Sequence, residues 1–313
     1  MPLFNCFDII DKHVEVGIPD NWRKDMSNEQ TEMNLDSNQQ AFRQADAFNK
    51  RMKAEKENKK KKKGITAFHL KVIAMVSLVF FAVTRVILYR YMDFLSLDTK
   101  DSEAVSAFME KFGGTLTVTM ILEFLGCIAF PILAYLLVMG YVNSQKKAKD
   151  IIEFAIIAIV SEVPYDLAMS GKVLEVTGQN MFLSLFLGLC AVAIVDLLWE
   201  KYLTSLFAKY LVAIVVTITF MFLGILSRGF LGIAPLVMMC MYIFKQNKLS
   251  SVMLGVFSMY FIYQLDTVPY FLSLIPIALY NGEQGKKTGY MLHVFYPLHL
   301  IIIYVIAVVM KLY

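Results

Sequence analysis

From Phe68 onward, long apolar stretches alternate with short polar loops. A hydrocarbon core of about 30 Å takes about 20 apolar residues to cross as a helix, because each residue rises about 1.5 Å. Backbone groups find no water there, so only helices and closed barrels can span it. Stretches such as 72–89 and 292–310 are long and uniformly apolar, without the in–out alternation of barrel strands. The pattern predicts an all-α, polytopic integral membrane helical bundle of about nine transmembrane helices. They are expected at approximately 67–90, 116–143, 149–170, 181–199, 205–226, 229–244, 249–264, 267–281 and 289–311.

Residues 1–64 break the pattern. They are rich in Asn, Gln, Lys, Glu and Asp and end in the run Lys59–Lys63. So little apolar surface cannot offset the entropy of ordering, so this head is expected to be largely disordered. Within it, 39–62 lacks Pro and Gly and suits a juxtamembrane helix leading into a transmembrane domain at 65–313. No apolar region falls where a cleavable signal peptide would carry one, so none is expected.

Composition agrees with the pattern: hydrophobic residues make up 58% of the chain, against roughly 45–50% in soluble domains. The net charge of +4 matters less than its placement. Lys59–Lys63, Lys146, Lys147, Lys149, Lys201, Lys245, Lys248, Lys286 and Lys287 all fall on one side of a nine-span topology. The positive-inside rule then puts the N-terminus in the cytoplasm and the C-terminus outside a cell membrane. These basic residues track topology, which argues against nucleic acid as a partner and for membrane lipids. Cys6, Cys127, Cys190 and Cys240 show no metal-ligand spacing, so no metal is expected.

Polar residues inside apolar spans are costly and therefore informative. Glu162 and Asp166 lie four residues apart on one helix face, with Pro164 between them to kink the helix. Gln179 and Asn180 open the next span from the same side, and Arg85, Glu123 and Arg228 fall at similar depth. Pairing of Glu162 or Asp166 with Arg85 or Arg228 would remove most of the burial cost. Such a cluster is either an ion-pair network joining helices or a water-filled functional cavity. His299 sits near the middle of the last span. A second constellation, Tyr280, Asn281, Gly282, Glu283, Gln284, Gly285, Lys286 and Lys287, puts glycines beside lysines. That turn either ends a helix or presents N–H groups and charge to phosphates.

Five segments carry a resemblance: AFPILAYLLVMGY at 129–141, SEVPYDLA at 161–168, QNMFLSLFLGL at 179–189, YNGEQG at 280–285 and FYPLHL at 295–300. In this order and spacing they resemble the TraX family, polytopic membrane proteins associated with N-terminal acetylation of conjugative pilin. That family is distantly similar to membrane acyltransferases acting on sugars and glycans. The resemblance implies acyl transfer from a cytosolic acyl-CoA, with acetyl-CoA as donor, to a pilin-like protein amine or a cell-surface glycan. It implies catalytic roles for His299, Glu162 and Asp166, and substrate contacts for Gln179, Asn180 and Tyr296. The depth of Arg85 and Arg228 adds them as candidate substrate contacts. The donor would meet Tyr280, Asn281, Gly282, Gly285, Lys286 and Lys287. If His299 is the base, it should line a cavity continuous with the Tyr280–Lys287 turn.

The chain departs from the family's pattern. An Asp-His pair is expected after the LK-x-IA start, but Leu70-Lys71-Val72-Ile73-Ala74 is followed by Phe81-Ala82 at that place. Cys127 replaces an Arg, Met139 and Asn143 stand where Glu and His are expected, and Ser227-Arg228 replaces Asp-Tyr. Two functions remain open: a divergent acyltransferase, and a non-catalytic membrane scaffold or binding subunit that has lost the first-span pair.

Overall fold

The computed structural model describes Lys50 and residues 63–176, 178–226, 232–286 and 291–313. Among these, every regular element is helical except one isolated bridge, Ile65 to Tyr280. The chain separates into two compact units, Met1–Lys62 and Lys63–Tyr313. Apart from Lys50, the polar head and its expected helix over 39–62 lie outside the described residues.

The second unit is built from α1 (Ala67–Tyr91), α2 (Ser102–Cys127), α3 (Ala129–Asn143), α4 (Lys147–Val160) and α5 (Glu162–Ser170). It continues through α6 (Met181–Lys201), α7 (Leu206–Leu226), α8 (Ala234–Ile243), α9 (Lys248–Tyr263), α10 (Leu274–Leu279) and α11 (Met291–Val309). A 3-10 segment, Gln264–Ser273, joins α9 to α10.

Prolines set the internal breaks. α2 gives way to α3 at Ile128, and α4 to α5 at Ser161. Each break falls three residues before a proline, Pro131 or Pro164. A proline clashes with the carbonyl four residues back and offers it no N–H, so helix geometry gives way there. Inside α1, Val83–Leu88 is wound as a π-helix around Arg85, a deviation that often marks a functional position.

Among the described residues, six helical stretches are long and apolar enough to cross a membrane, which makes this a multi-pass membrane protein. The expected count of nine is not reached, and each shortfall has a local cause. The span at 149–170 is divided at Ser161, and the one at 229–244 retains a ten-residue helix among the described residues. The spans at 249–264 and 267–281 form one continuous stretch, Lys248–Leu279. That stretch is not straight. Lys248 Nζ donates to the carbonyls of Ala278, at 2.9 Å, and Tyr280, so its two ends meet. The reversal occurs at Gln264, whose φ of 47° lies in the left-handed region.

Close helix approach relies on glycine, as lipid-embedded bundles require. A Cβ on Gly126 would stand 2.9 Å from the Phe81 backbone nitrogen, and one on Gly188 would stand 3.1 Å from the Ala234 carbonyl. These contacts seat α2 on α1 and α6 on α8. By contrast α7 leaves Phe207, Ile214, Ile218 and Phe222 exposed, a surface that lipid covers.

Candidate functional site

Among the described residues, Lys147, Lys245, Lys248 and Lys286 meet Asp196, Tyr242, Tyr280 and Phe68 at one end of the bundle, and a large hollow opens there. It holds about 1660 Å³ of empty space, part of it open to solvent. Lys71 from α1, Asn143 from α3, Asp150 and Glu153 from α4, Tyr280, Gln284, and His293 from α11 all face it. Inward it narrows to a neck of about 580 Å³, lined by Leu133, Leu136, Leu137, Leu185, Leu292, Phe154 and Phe182. Lys71 and His293 line both the vestibule and the neck. Glu153 and Lys71 are the charged groups that act on His293.

Phe182 closes the neck against a third hollow. Its ring stacks on that of Tyr296, with centroids 3.7 Å apart and planes 6° apart. Tyr296 lines a small inner chamber of about 30 Å³ together with Phe81, Ala82, Cys127, Tyr165, Tyr270 and His299. His299 is buried, and its Nδ1 lies 3.1 Å from the Phe295 carbonyl one turn back on α11. Its ring stacks on Phe295 at 5.0 Å. His293 and His299 are six residues apart, and at about 100° per residue they face different sides of the helix. The Tyr280–Lys286 turn therefore shares its hollow with His293, while His299 lines the inner chamber.

Among the described residues, neither carboxylate pairs with Arg85, one of the two arginines the sequence offered. Arg85 forms its ion pair with Glu123, which also accepts from the Tyr89 hydroxyl. Glu162 instead accepts from the Asn180 side chain, whose amide also donates to the Ala158 carbonyl at 2.8 Å. The same Asn180 caps α6 by accepting from Leu183 N–H at 3.0 Å. Asp166 accepts from Glu175 N–H at 2.9 Å. One oxygen of each carboxylate, Glu162 Oε1 and Asp166 Oδ1, is buried and has no hydrogen-bond partner among the described residues. Tyr165 lies within electrostatic reach of Arg85, Glu162 and Asp166, so these groups do converge on one region. Gln179 sits half-buried beside Asn180. Arg228 and Ser227 lie outside the described residues.

The Tyr280–Lys286 turn docks on the start of α1. Glu283 and Gln284 carbonyls accept from Ala67 and Phe68 N–H at 2.8 and 3.2 Å, satisfying donors that a helix start leaves open. Asn281 N–H donates to the Ile65 carbonyl, and Asn281 Oδ1 accepts from Glu283 N–H, both at 2.9 Å. Gly282 and Gly285 have φ of 83° and 70°, the left-handed conformation this turn needs. Two of the N–H groups expected to meet phosphate are thus committed within the fold. Lys286 Nζ lies 5.9 Å from the Phe68 ring centroid, and Lys287 is outside the described residues.

Sequence reasoning missed Asp196. Buried on α6, it accepts from Lys147 Nζ at 2.6 Å, from the Tyr141 hydroxyl at 3.0 Å, and from the Tyr242 hydroxyl. Lys147, at the membrane-external start of α4, has its pKa raised by that hydrogen bond. On the opposite end, Glu175 holds Lys172 at 2.8 Å and likewise raises its pKa. Lys71, Glu153 and His293 were also passed over as site residues. A lone acid in an apolar helix is the signal that flagged Glu162, and Asp196 gave the same signal in Val195-Asp196-Leu197.

No curated protein and no solved structure matches the chain. The family model described as TraX protein matches residues 67–307, which covers all of α1 to α10 and most of α11. This multi-pass membrane chain belongs to the TraX family.

Proposed function

We propose that the protein is an acyltransferase that draws an acyl group, acetyl in the simplest case, from a cytosolic acyl-CoA. The observation that carries this reading is the vestibule at the lysine-bearing end, which narrows to an apolar neck with Lys71 and His293 at its mouth. Lys71 in the vestibule wall suits a phosphate of the donor, and a cytoplasmic N-terminus would put that opening on the side where acyl-CoA is found. Proton transfer falls to α11, which carries His293 at the neck and His299 in the inner chamber. A neutral imidazole takes the proton of an attacking hydroxyl or amine near pH 7. The unpartnered oxygens of Glu162 and Asp166 suit the hydrogen bonds of an acceptor, a protein amine or a cell-surface glycan.

A non-catalytic scaffold is the second reading. It is favoured by His299 stacking on its own helix and by Arg85 pairing with Glu123. Transfer of label from radiolabelled acetyl-CoA to a membrane and envelope extract decides between them. Labelling of an acceptor, lost in His293→Gln or His299→Ala, supports the enzyme. No labelling, together with no acetyl-CoA binding by calorimetry, leaves the scaffold.

A further inference from the structure

The neck has a polarity gradient that a small polar substrate does not need. Its inner wall carries the apolar side chains of Leu133, Leu185, Leu292 and Phe182, while Lys71 and His293 stand where it meets the vestibule. Asp150 and Glu153 face the vestibule on the solvent side of that boundary. A pocket of this kind fits an amphiphile with a short apolar tail, a polar acyl carbon at the boundary, and a larger head in the vestibule. The Lys71 ammonium and an imidazole N–H of His293 at the boundary select a polarised carbonyl group over a plain hydrocarbon.

The depth of the neck is fixed by one contact. Phe182 lines the neck and not the vestibule, and Tyr296, which lines the inner chamber, lies flat against it and blocks an inward swing. Phe182 is fully buried and Tyr296 is 3% exposed, so neither ring reaches the protein surface and each is backed by the other.

Resting on the acyltransferase reading, we propose that this neck binds the acyl end of a short-chain acyl thioester, and that Phe182 sets the maximum chain length. Lys71 and His293 hold the thioester carbonyl at the mouth, and the head group occupies the vestibule. A free fatty acid presents the same tail and an anionic carbonyl, so the two sources must be separated by experiment.

The test is equilibrium binding of coenzyme A, acetyl-CoA, butyryl-CoA, octanoyl-CoA and octanoate to the full chain in detergent. On wild-type protein, affinity should rise about fourfold per methylene buried, from acetyl to butyryl. It should then fall for octanoyl. Phe182→Ala should shift the optimum to octanoyl-CoA, and Phe182→Trp should abolish the advantage of butyryl-CoA over coenzyme A. Leu185→Ala, elsewhere on the wall, gives a second way to enlarge the neck if Phe182→Ala fails to fold. Lys71→Met should weaken all thioesters alike, by about tenfold. Unchanged chain-length preference in folded Phe182 and Leu185 variants overturns the proposal, even where acyl transfer itself is observed. Binding of octanoate that matches octanoyl-CoA in Phe182→Ala assigns the neck to a fatty acid and also overturns it. Absence of binding by every thioester overturns both this site and the acyltransferase reading.

Discussion

Phe182 and Tyr296 lie face to face, 3.7 Å between ring centroids, at the boundary of two hollows. Phe182 lines the neck that opens toward the lysine-bearing end, and Tyr296 lines the inner chamber that holds His299. One layer of stacked rings thus separates the two imidazoles of α11. Removing either ring should join the hollows.

That consequence can be read at Cys127, which lines the inner chamber. In a background lacking the other cysteines, a small charged thiol reagent added from the lysine-bearing side should label Cys127 slowly. Tyr296→Ala should accelerate labelling at least several-fold while Tyr296→Phe leaves it unchanged. Equal rates in all three would show that the stack is not the barrier.

Gly126 should tolerate no side chain. Its Cβ would stand 2.9 Å from the Phe81 nitrogen and 3.0 Å from its Cα, and backbone atoms do not yield as a flexible side chain does. Gly126→Ala is expected to cost about 1–3 kcal/mol through overpacking. A melting temperature in detergent equal to that of wild type would contradict the contact.

The Lys147–Asp196 pair gives a pH dependence with a definite sign. Hydrogen bonding to Asp196 raises the Lys147 pKa above its ordinary value of 10.5. The stabilisation is therefore complete below about pH 10.5 and is lost as pH climbs through the higher folded value. Asp196→Ala should lower stability by about 3 kcal/mol at neutral pH, because Lys147 and two tyrosine hydroxyls lose their acceptor. The gap between variant and wild type should shrink in alkaline melts. A gap that widens there would reverse the assigned sign.

The two glycines of the 280–286 turn should respond differently. Both have positive φ, but a Cβ on Gly282 meets nothing within 4 Å, whereas one on Gly285 would overlap Thr66 Oγ1 at 2.2 Å. Gly282→Ala should cost only the backbone strain, about 1–2 kcal/mol. Gly285→Ala should also dislodge the turn from the start of α1 and expose it to limited proteolysis. Equal protease resistance in the two variants would argue against docking.

Within the family match, the membrane class, the helical architecture and one of the places where helices break were legible in the chain itself. Apolar runs long enough for a bilayer admit helices rather than loops. The kink read at Pro164 is the break at Ser161, whereas the break before Pro131 was not read and Pro297 leaves α11 unbroken. The polar residues of the outer cluster were legible as well, because each is costly in its setting. Their partners were not. Glu123 takes Arg85 and Asn180 takes Glu162 through contacts spanning 38 and 18 residues, and spacing along one helix carries no information about which neighbour stands opposite.

The same limit separates the two histidines. Sequence favoured His299 for its depth in the last span, which is a one-dimensional property. Only tertiary packing decided that His293, with Lys71 from α1 and Glu153 from α4, faces the open vestibule and that a stacked pair of rings stands between it and His299. The chain alone thus determined that it folds in a membrane and from which elements, because lipid and backbone chemistry act locally. Which side chains share a cavity was decided by how helices distant in sequence pack, since close contact between them exists only in the folded bundle.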